Sequence, residues 1–201
     1  MSFERLTYAG PPIDDAALLA ELPSALATLL RAENGFLAFE GGLHVRGACR
    51  APAWHSLRAA WRGPESVTAR YPWAIRPTDI PFGQDALGDQ FLLRDAIVHR
   101  LEGETGTVES LGVSLTEFLE RCRRDPVAYL NLQPLVAYQR TGGRLAPGQL
   151  LSVYPPFCTA HEGARSYRAI AAADRLGALA AMAAQLRDLP SGTVVQFKIA
   201  D

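Results

Sequence analysis

The sequence predicts an α+β fold: a curved, mostly antiparallel sheet flanked by helices, with a C-terminal α/β elaboration. Three observations support this class. Short apolar segments separated by tight turn signals run through the middle of the chain, which favours antiparallel hairpins. Helical patterns precede and follow this run rather than alternating with single strands. No Gly-x-Gly-x-x-Gly follows a predicted strand, so a doubly wound nucleotide-binding fold is not indicated.

The N-terminal region is predicted to form two helices and a hairpin, over residues 16–22, 23–33 and 36–46. Good helix formers follow an acidic pair at residues 14 and 15, which suits a helix N-terminus. Pro23 starts the second helix, because proline is tolerated in a first turn, and Asn34 and Gly35 stop it.

The middle of the chain is predicted to form four short strands, over residues 80–83, 91–94, 97–101 and 107–111. Ser114 and Glu117 then form a capping box, in which each side chain satisfies a backbone amide at a helix start. A helix is therefore expected from Ser114 to about Arg124. It ends before Pro126, because the residue preceding a proline avoids helical backbone.

The C-terminal segment is expected to add two strands, a helix and a last strand, over residues 150–154, 167–170, 175–189 and 195–199. Asp174 would cap the helix, and apolar residues recur along one of its faces. No long polar linker precedes the segment. We therefore expect a core over residues 1–125 and an elaboration over residues 126–201 that packs on it within one domain.

Composition limits the function classes. The chain has 201 residues, is 48% hydrophobic and has a net charge of −1, which argues against a nucleic-acid binder driven by bulk charge. No apolar run reaches the roughly 18 residues of a membrane span, and the N-terminus lacks a secretion signal. The 3 cysteines are widely spaced and do not suggest a disulfide framework. We expect a soluble cytoplasmic protein that binds neither nucleic acid nor membrane.

Motifs for catalysis and metal binding are sparse. Cys158 and His161 have the spacing of two zinc ligands, but a structural zinc site needs four, and the other candidates are scattered. An acidic cluster in the strand region comprises Asp79, Asp85, Asp89 and Asp95. Aspartate beside glycine usually serves a turn, although such a cluster could also supply a carboxylate pair. We therefore predict no catalytic residue, no cofactor and no metal.

Large aromatic residues concentrate in one part of the chain, where they could pack in the core or anchor an interface. A short helix is predicted over residues 52–61, and its spacing puts Trp54 and Trp61 on the side that faces the sheet. The candidate partner-binding residues are Tyr71, Trp73 and Arg76. They lie in a proline-flanked irregular stretch, so we expect them to be exposed.

Several motifs occur in an order that is more informative than any one of them. They are Leu22-Pro23, Asn34-Gly35 before a glycine-rich hairpin, Ile80-Pro81-Phe82-Gly83, Gly88-Asp89 and the helix that follows Ser114. Together they resemble the SUKH superfamily, which includes fungal cell-wall-synthesis regulators and many bacterial homologues. The resemblance covers residues 22–122, and Leu115 stands where that family commonly has an aromatic residue.

The resemblance implies an α+β fold, no catalytic activity and a protein partner. Bacterial members of the family are interpreted as immunity proteins that neutralise toxins, and fungal members as regulatory scaffolds. The partner expected here is thus a toxin encoded nearby or a scaffolded protein. The residues carried over as fold-forming turn residues are Asn34, Gly35, Gly88 and Asp89. The alternatives are a small-molecule or peptide-binding module, and an enzyme that uses the acidic cluster or Cys158 and His161.

Overall fold

The computed structural model describes residues 6–190 and 192–195, so the predicted strand over residues 195–199 lies outside them except for Val195. The described residues form a seven-stranded antiparallel sheet with its strands in chain order, and a separate two-stranded hairpin. The strands of the large sheet are β1 (Tyr8–Ala9), β2 (Phe36–Ala38), β3 (Leu43–Val45), β4 (Ile80–Asp85), β5 (Gln90–Arg94), β6 (Ile97–Leu101) and β7 (Val108–Ser114). The hairpin consists of β8 (Gln149–Tyr154) and β9 (Ser166–Ala171). The predicted α+β class with a mostly antiparallel sheet is confirmed.

Helices flank the strands at both ends of the chain. The α-helices in the described part are α1 (Ala16–Glu21), α2 (Ser24–Ala32), α3 (Leu57–Arg62), α4 (Val67–Arg70), α5 (Leu115–Arg124), α6 (Pro126–Tyr129), α7 (Gln133–Arg140) and α8 (Ala172–Leu186). Side-chain oxygens cap α1, α3, α4, α5 and α6, supplied by Asp15, Ser56, Ser66, Ser114 and Asp125. None of the helices in this part of the chain has the length and apolar run that crossing a bilayer requires.

Two predicted helix starts are wrong. α3 begins after Ser56, whose hydroxyl caps it, so Trp54 lies in the preceding turn and not on the helix. α8 begins at Ala172 rather than at residue 175, and Asp174 lies in its first turn instead of capping it. In both cases the helical pattern was recognised, but the first residue of the helix was misplaced, and for α8 the predicted cap, Asp174, was wrong.

The two faces of the large sheet are covered by different elements, as strand alternation requires. On one face, Phe82 and Phe91 pack on Phe118 of α5, with ring centroids 5.8 and 4.7 Å away. On the other face, Leu92 and Leu101 are buried with Tyr71 and with two alanines of α8. The sheet is therefore covered on both faces along its central strands.

The segment after residue 125 covers part of this sheet. Five of its buried leucines belong to the main apolar cluster: Leu130, Leu132, Leu135, Leu145 and Leu151. The backbone amide of Leu151 in β8 also donates to the carbonyl of Ala86, directly after β4, at 2.8 Å. The hairpin is thus held against the end of β4.

Candidate binding cleft

A cleft of about 480 Å³ opens where the β4–β5 and β6–β7 turns meet the C-terminal segment. This volume lies within the range of ligand-binding pockets. The charged residues that line it are Asp89, Arg100, Glu102, Glu104 and Arg175. Its apolar wall includes Leu87, Pro134, Phe157 and Cys158. We call this feature the charged cleft.

The β4–β5 turn fixes the first wall of the cleft. Asp85 Oδ1 accepts hydrogen bonds from the backbone amides of Leu87, Gly88 and Asp89, at 2.9, 3.0 and 3.1 Å. Gly88 has a φ of +99°, a conformation that favours glycine. A Cβ at this position would also lie 2.7 Å from Leu179 of α8. Gly88 and Asp89 therefore form a tight turn that is closed from outside by α8.

Asp89 joins this turn to β6 and to the β6–β7 turn. Its Oδ2 accepts hydrogen bonds from Arg100 Nε at 3.0 Å and Nη2 at 2.5 Å, and its Oδ1 accepts one from the Gly103 amide at 2.9 Å. Arg100 Nη2 also lies 3.6 Å from Asp85 Oδ2. Burial, together with the neighbouring Asp89 carboxylate, raises the pKa of Asp85 to about 8. Asp85 therefore keeps its proton to a higher pH than an ordinary aspartate.

Glu104 and Arg175 face each other across the second wall. Glu104 Oε2 accepts a hydrogen bond from the Cys158 amide at 2.8 Å, and Arg175 Nε donates to the Leu87 carbonyl at 3.2 Å. Glu104 Oε1 lies 3.7 Å from Arg175 Nη2, which is too long for a hydrogen bond. Among residues 6–190 and 192–195, this buried oxygen has no hydrogen-bond partner. We call it the open oxygen of Glu104.

Cys158 lies at the cleft as a thiol. Burial of the sulfur and the nearby Glu104 raise its pKa to about 11, so little thiolate forms at neutral pH. Its sequence neighbour His161 is exposed. Within the described residues, no three His, Cys, Asp or Glu side chains are grouped so that they could hold a metal ion.

The predicted acidic cluster is only partly assembled. Asp85 and Asp89 share the β4–β5 turn, whereas Asp79 forms a separate two-point ion pair with Arg94, at 2.8 and 2.7 Å. The Asp95 side chain is 90% exposed. Two of the four aspartates thus share this turn, and of these Asp89 lines the charged cleft whereas Asp85 lies buried behind it.

The predicted partner-binding residues do not line the cleft. Tyr71 is 1% exposed and donates to the Gly103 carbonyl at 2.9 Å, so its predicted exposure is wrong. The irregular stretch turns back onto the sheet directly after α4, which buries the ring against the strands. Trp73 is half-buried, with the guanidinium of Arg187 5.3 Å above its ring, and the Arg76 side chain is 61% exposed. The role of these residues in partner binding stays a prediction.

Asn34 and Gly35 lie in the connection between α2 and β2, outside the cleft lining. The Asn34 amide donates to the Pro11 carbonyl at 2.8 Å and accepts from the Ala48 amide at 2.7 Å. Gly35 has a φ of +76°, and a Cβ there would lie 2.6 Å from the Gly47 nitrogen. Both residues hold backbone segments together in this connection.

A second buried polar group was missed by sequence reasoning. We call it the arginine–histidine cluster; its members are His44, Arg46, His55, Gln84 and Gln90. Arg46 Nη1 donates to the Pro81 carbonyl at 2.8 Å, and Nη2 donates to the side-chain oxygens of Gln84 and Gln90 at 2.6 and 2.7 Å. Burial lowers the pKa of Arg46 to about 9. The signal available in the sequence was the run of long polar side chains on neighbouring strands.

Comparisons with known proteins give no match to a family model, to a curated protein or to a solved structure. The SUKH resemblance therefore stays a prediction that depends on the order of motifs in the sequence.

Proposed function

We propose that this protein is a non-catalytic binding protein of the cytoplasm that holds a protein partner through the charged cleft and its rim. Its role would be that of an immunity protein, neutralising a toxin encoded nearby, or of a regulatory scaffold. The observation that carries the proposal concerns the ionisable groups at the cleft. The groups best placed for catalysis make hydrogen bonds within the protein that maintain the fold.

The two turn aspartates support this interpretation. A catalytic carboxylate needs both a suitable pKa and access to the substrate. Asp85 has a pKa near neutrality, but it is 1% exposed and does not line the cleft. Asp89 lines the cleft, but its two oxygens accept hydrogen bonds from Arg100 and Gly103. Each aspartate is thus better suited to fixing the turn than to proton transfer.

The thiol at the cleft supports the same interpretation. A nucleophilic cysteine needs a lowered pKa, which neighbouring cations or a helix N-terminus usually provide. The pKa of Cys158 is shifted in the opposite direction, to about 11, by burial and by a carboxylate.

The rim of the cleft favours a protein partner over a small molecule. Phe157, which lines the cleft, is 42% exposed, and Tyr154, three residues earlier in the chain, is 46% exposed. Exposed aromatic side chains beside a charged depression are typical anchors of protein interfaces. A small-molecule ligand is the second candidate, and the cleft volume of about 480 Å³ favours it.

The test is coexpression with each candidate toxin encoded beside the gene, scored by growth and by copurification of a stoichiometric complex. We expect protection to require the complex. Phe157→Ser should weaken the complex by about tenfold or more, as expected for an interface anchor, with little change in melting temperature. The matched control is Val127→Ser, because Val127 is 39% exposed and does not line the cleft. Protection without a stable complex, or turnover of a small substrate, would refute the proposed function.

A further inference from the structure

The charges at the cleft are unevenly paired. Among the described residues that line it, three are carboxylates and two are arginines; they are Asp89, Glu102, Glu104, Arg100 and Arg175. Arg100 is already engaged by Asp89 at hydrogen-bonding distance. The carboxylates of Glu102 and Glu104 therefore share the single remaining guanidinium, that of Arg175. Glu102 is exposed at the rim.

Hydrogen bonds made by Glu104 and by Arg175 to other groups keep the open oxygen of Glu104 apart from Arg175. Glu104 is 9% exposed, and its other oxygen is tied to the Cys158 amide at 2.8 Å. Arg175 is tied to the Leu87 carbonyl through Nε. Because both partners are anchored, the gap of 3.7 Å between them is not closed by a simple rotation. A buried acceptor left in this state is stabilised by any donor that reaches it.

We propose that the charged cleft accepts a basic side chain, arginine or lysine, of the protein partner. This inference rests on the proposed function and specifies what that partner inserts. The ammonium or guanidinium group would donate to the open oxygen of Glu104 and to Glu102. An ionised carboxylate has no proton to donate, so it can act only as an acceptor. Its alkyl stem would lie against the apolar wall formed by Pro134 and Phe157.

An anionic ligand is the competing occupant, because Arg175 could pair with it. The excess of carboxylates around Arg175 opposes such a ligand by like-charge repulsion, and Arg175 already lies opposite Glu104. The balance of charge at the cleft therefore favours a cation over an anion.

The test is an NMR titration of the full-length protein with N-acetyl-arginine amide and N-acetyl-lysine amide. Neutral N-acetyl-glutamine amide and anionic N-acetyl-glutamate amide serve as comparison probes. We expect the basic probes to cause saturable shifts of the amides of Leu87, Gly103 and Cys158. Absence of those shifts, or tighter binding of the glutamate probe, would overturn the inference.

Two variants locate the binding contacts. Glu104→Gln should weaken binding of the arginine probe by about tenfold, because a hydrogen bond to a charged group is lost. Glu102→Gln, at the exposed rim, should weaken it less and carries little risk to folding. The matched control is Glu117→Gln, since the Glu117 side chain is 48% exposed on α5 and lies outside the cleft lining. Equal affinity of the arginine probe for Glu102→Gln, Glu117→Gln and the unmodified protein would contradict the assignment.

The two proposals fail separately. A protein partner that binds equally well to the unmodified protein and to Glu102→Gln and Glu104→Gln would refute the basic-side-chain inference but leave the proposed function intact. Saturable binding of the arginine probe at the cleft, combined with toxin protection that needs no complex, would refute the proposed function and leave only the affinity of the cleft for basic groups.

Discussion

The two buried polar regions of this molecule differ in how completely their atoms are satisfied. In the arginine–histidine cluster, the donors of Arg46 reach backbone carbonyls and side-chain amide oxygens. At the charged cleft, Glu104 Oε1 has no hydrogen-bond partner within the described residues, and neither has Asp85 Oδ2 in the adjoining β4–β5 turn. A fully satisfied buried network specifies structure, whereas an incompletely satisfied one is a place where a ligand can add stability. The comparison thus separates a structural cluster from a candidate site.

The hydrogen bonds of the arginine–histidine cluster run in one direction. Gln84 Oε1 accepts from Arg46, so the Gln84 amide nitrogen faces His44 Nδ1 at 3.3 Å. His44 Nε2 then donates to His55 Nδ1 at 2.9 Å, and His55 Nε2 donates to the Asn34 carbonyl at 3.1 Å. This network assigns both rings as neutral, with the proton on Nε2. A second proton on either ring has no acceptor in this arrangement.

The largest effect is expected from removing the centre of the satisfied cluster. Arg46→Met should lower the free energy of unfolding by about 3 kcal/mol, because buried oxygens of Gln84, Gln90 and Pro81 each lose a donor. Chemical denaturation measures the change. Arg76→Met is the matched control, and its effect should stay within about 0.5 kcal/mol because the side chain is exposed. Equal effects of the two substitutions would show that the buried network adds no stability.

The histidines give the next largest effect, through pH. Burial lowers the pKa of His44 and His55 below the ordinary value of 6.5, and the charge of Arg46 adds to this shift. The unfolded chain therefore binds protons first, so this stability is complete above pH 6.5 and is lost as the pH falls below it. The loss is up to about 1.4 kcal/mol per pH unit for each histidine.

Urea midpoints at pH 7 and pH 5 measure this loss. They are best compared in an Asp85→Asn background, because Asp85 titrates in the opposite sense over the same range. His161→Gln should leave the profile unchanged, because this histidine is exposed. A flat profile in that background would contradict the assignment of both rings as neutral.

Asp85 gives an effect of opposite sign, which overlaps the range of the histidines and extends to higher pH. Its pKa is raised from 3.8 to about 8, so the folded state retains a proton that the unfolded state has lost. Stability should fall as the pH rises toward and through 8, by about 1 kcal/mol between pH 7 and pH 8. Asp85→Asn keeps the accepting oxygen of the turn and should flatten this part of the profile. Asp95→Asn, at an exposed position, should not.

The smallest effect is expected from the cap of α5, which lies outside both buried polar regions and provides a reference for the larger effects. Ser114 Oγ accepts from the Glu117 amide at 3.3 Å, but Glu117 Oε1 binds Arg121, so one half of the predicted capping box engages elsewhere. Ser114→Ala should therefore cost about 0.5–1 kcal/mol, near the lower end for a helix cap. An unchanged denaturation midpoint would show that this serine does not stabilise α5.

The elements that could be predicted from sequence are those with local signals. Turn glycines and alternating apolar residues located β4, β5 and β6, and the serine cap located α5. The run of long polar side chains that forms the arginine–histidine cluster did not predict its burial, because a polar residue at every second strand position usually faces solvent. Arg46 is buried only because remote segments cover the second face of the sheet.

The charged cleft could be predicted in part. Asp85 and Asp89 belonged to the predicted cluster of four aspartates, for which turn formation was the expected role, and both do occupy the turn. That Arg175 lies at the same cleft depends on where α8 packs, and no sequence pattern predicted this position. Tyr71 shows the reverse error, since an irregular proline-flanked stretch was taken as exposed although tertiary packing buries it.

The packing position of α8 determines the width of the charged cleft, and this position is set by residues other than the charged ones. A Cβ at Gly88 or at Gly103 would come within 2.7 or 2.8 Å of the same methyl group of Leu179. Leu179 lies one helical turn beyond Arg175, so a larger residue at either glycine would push the arginine away from Glu104. Selectivity for one basic side chain over another could therefore be retuned by apolar substitutions that never touch the ligand. A search for specificity determinants should include these two glycines as well as the residues that line the cleft.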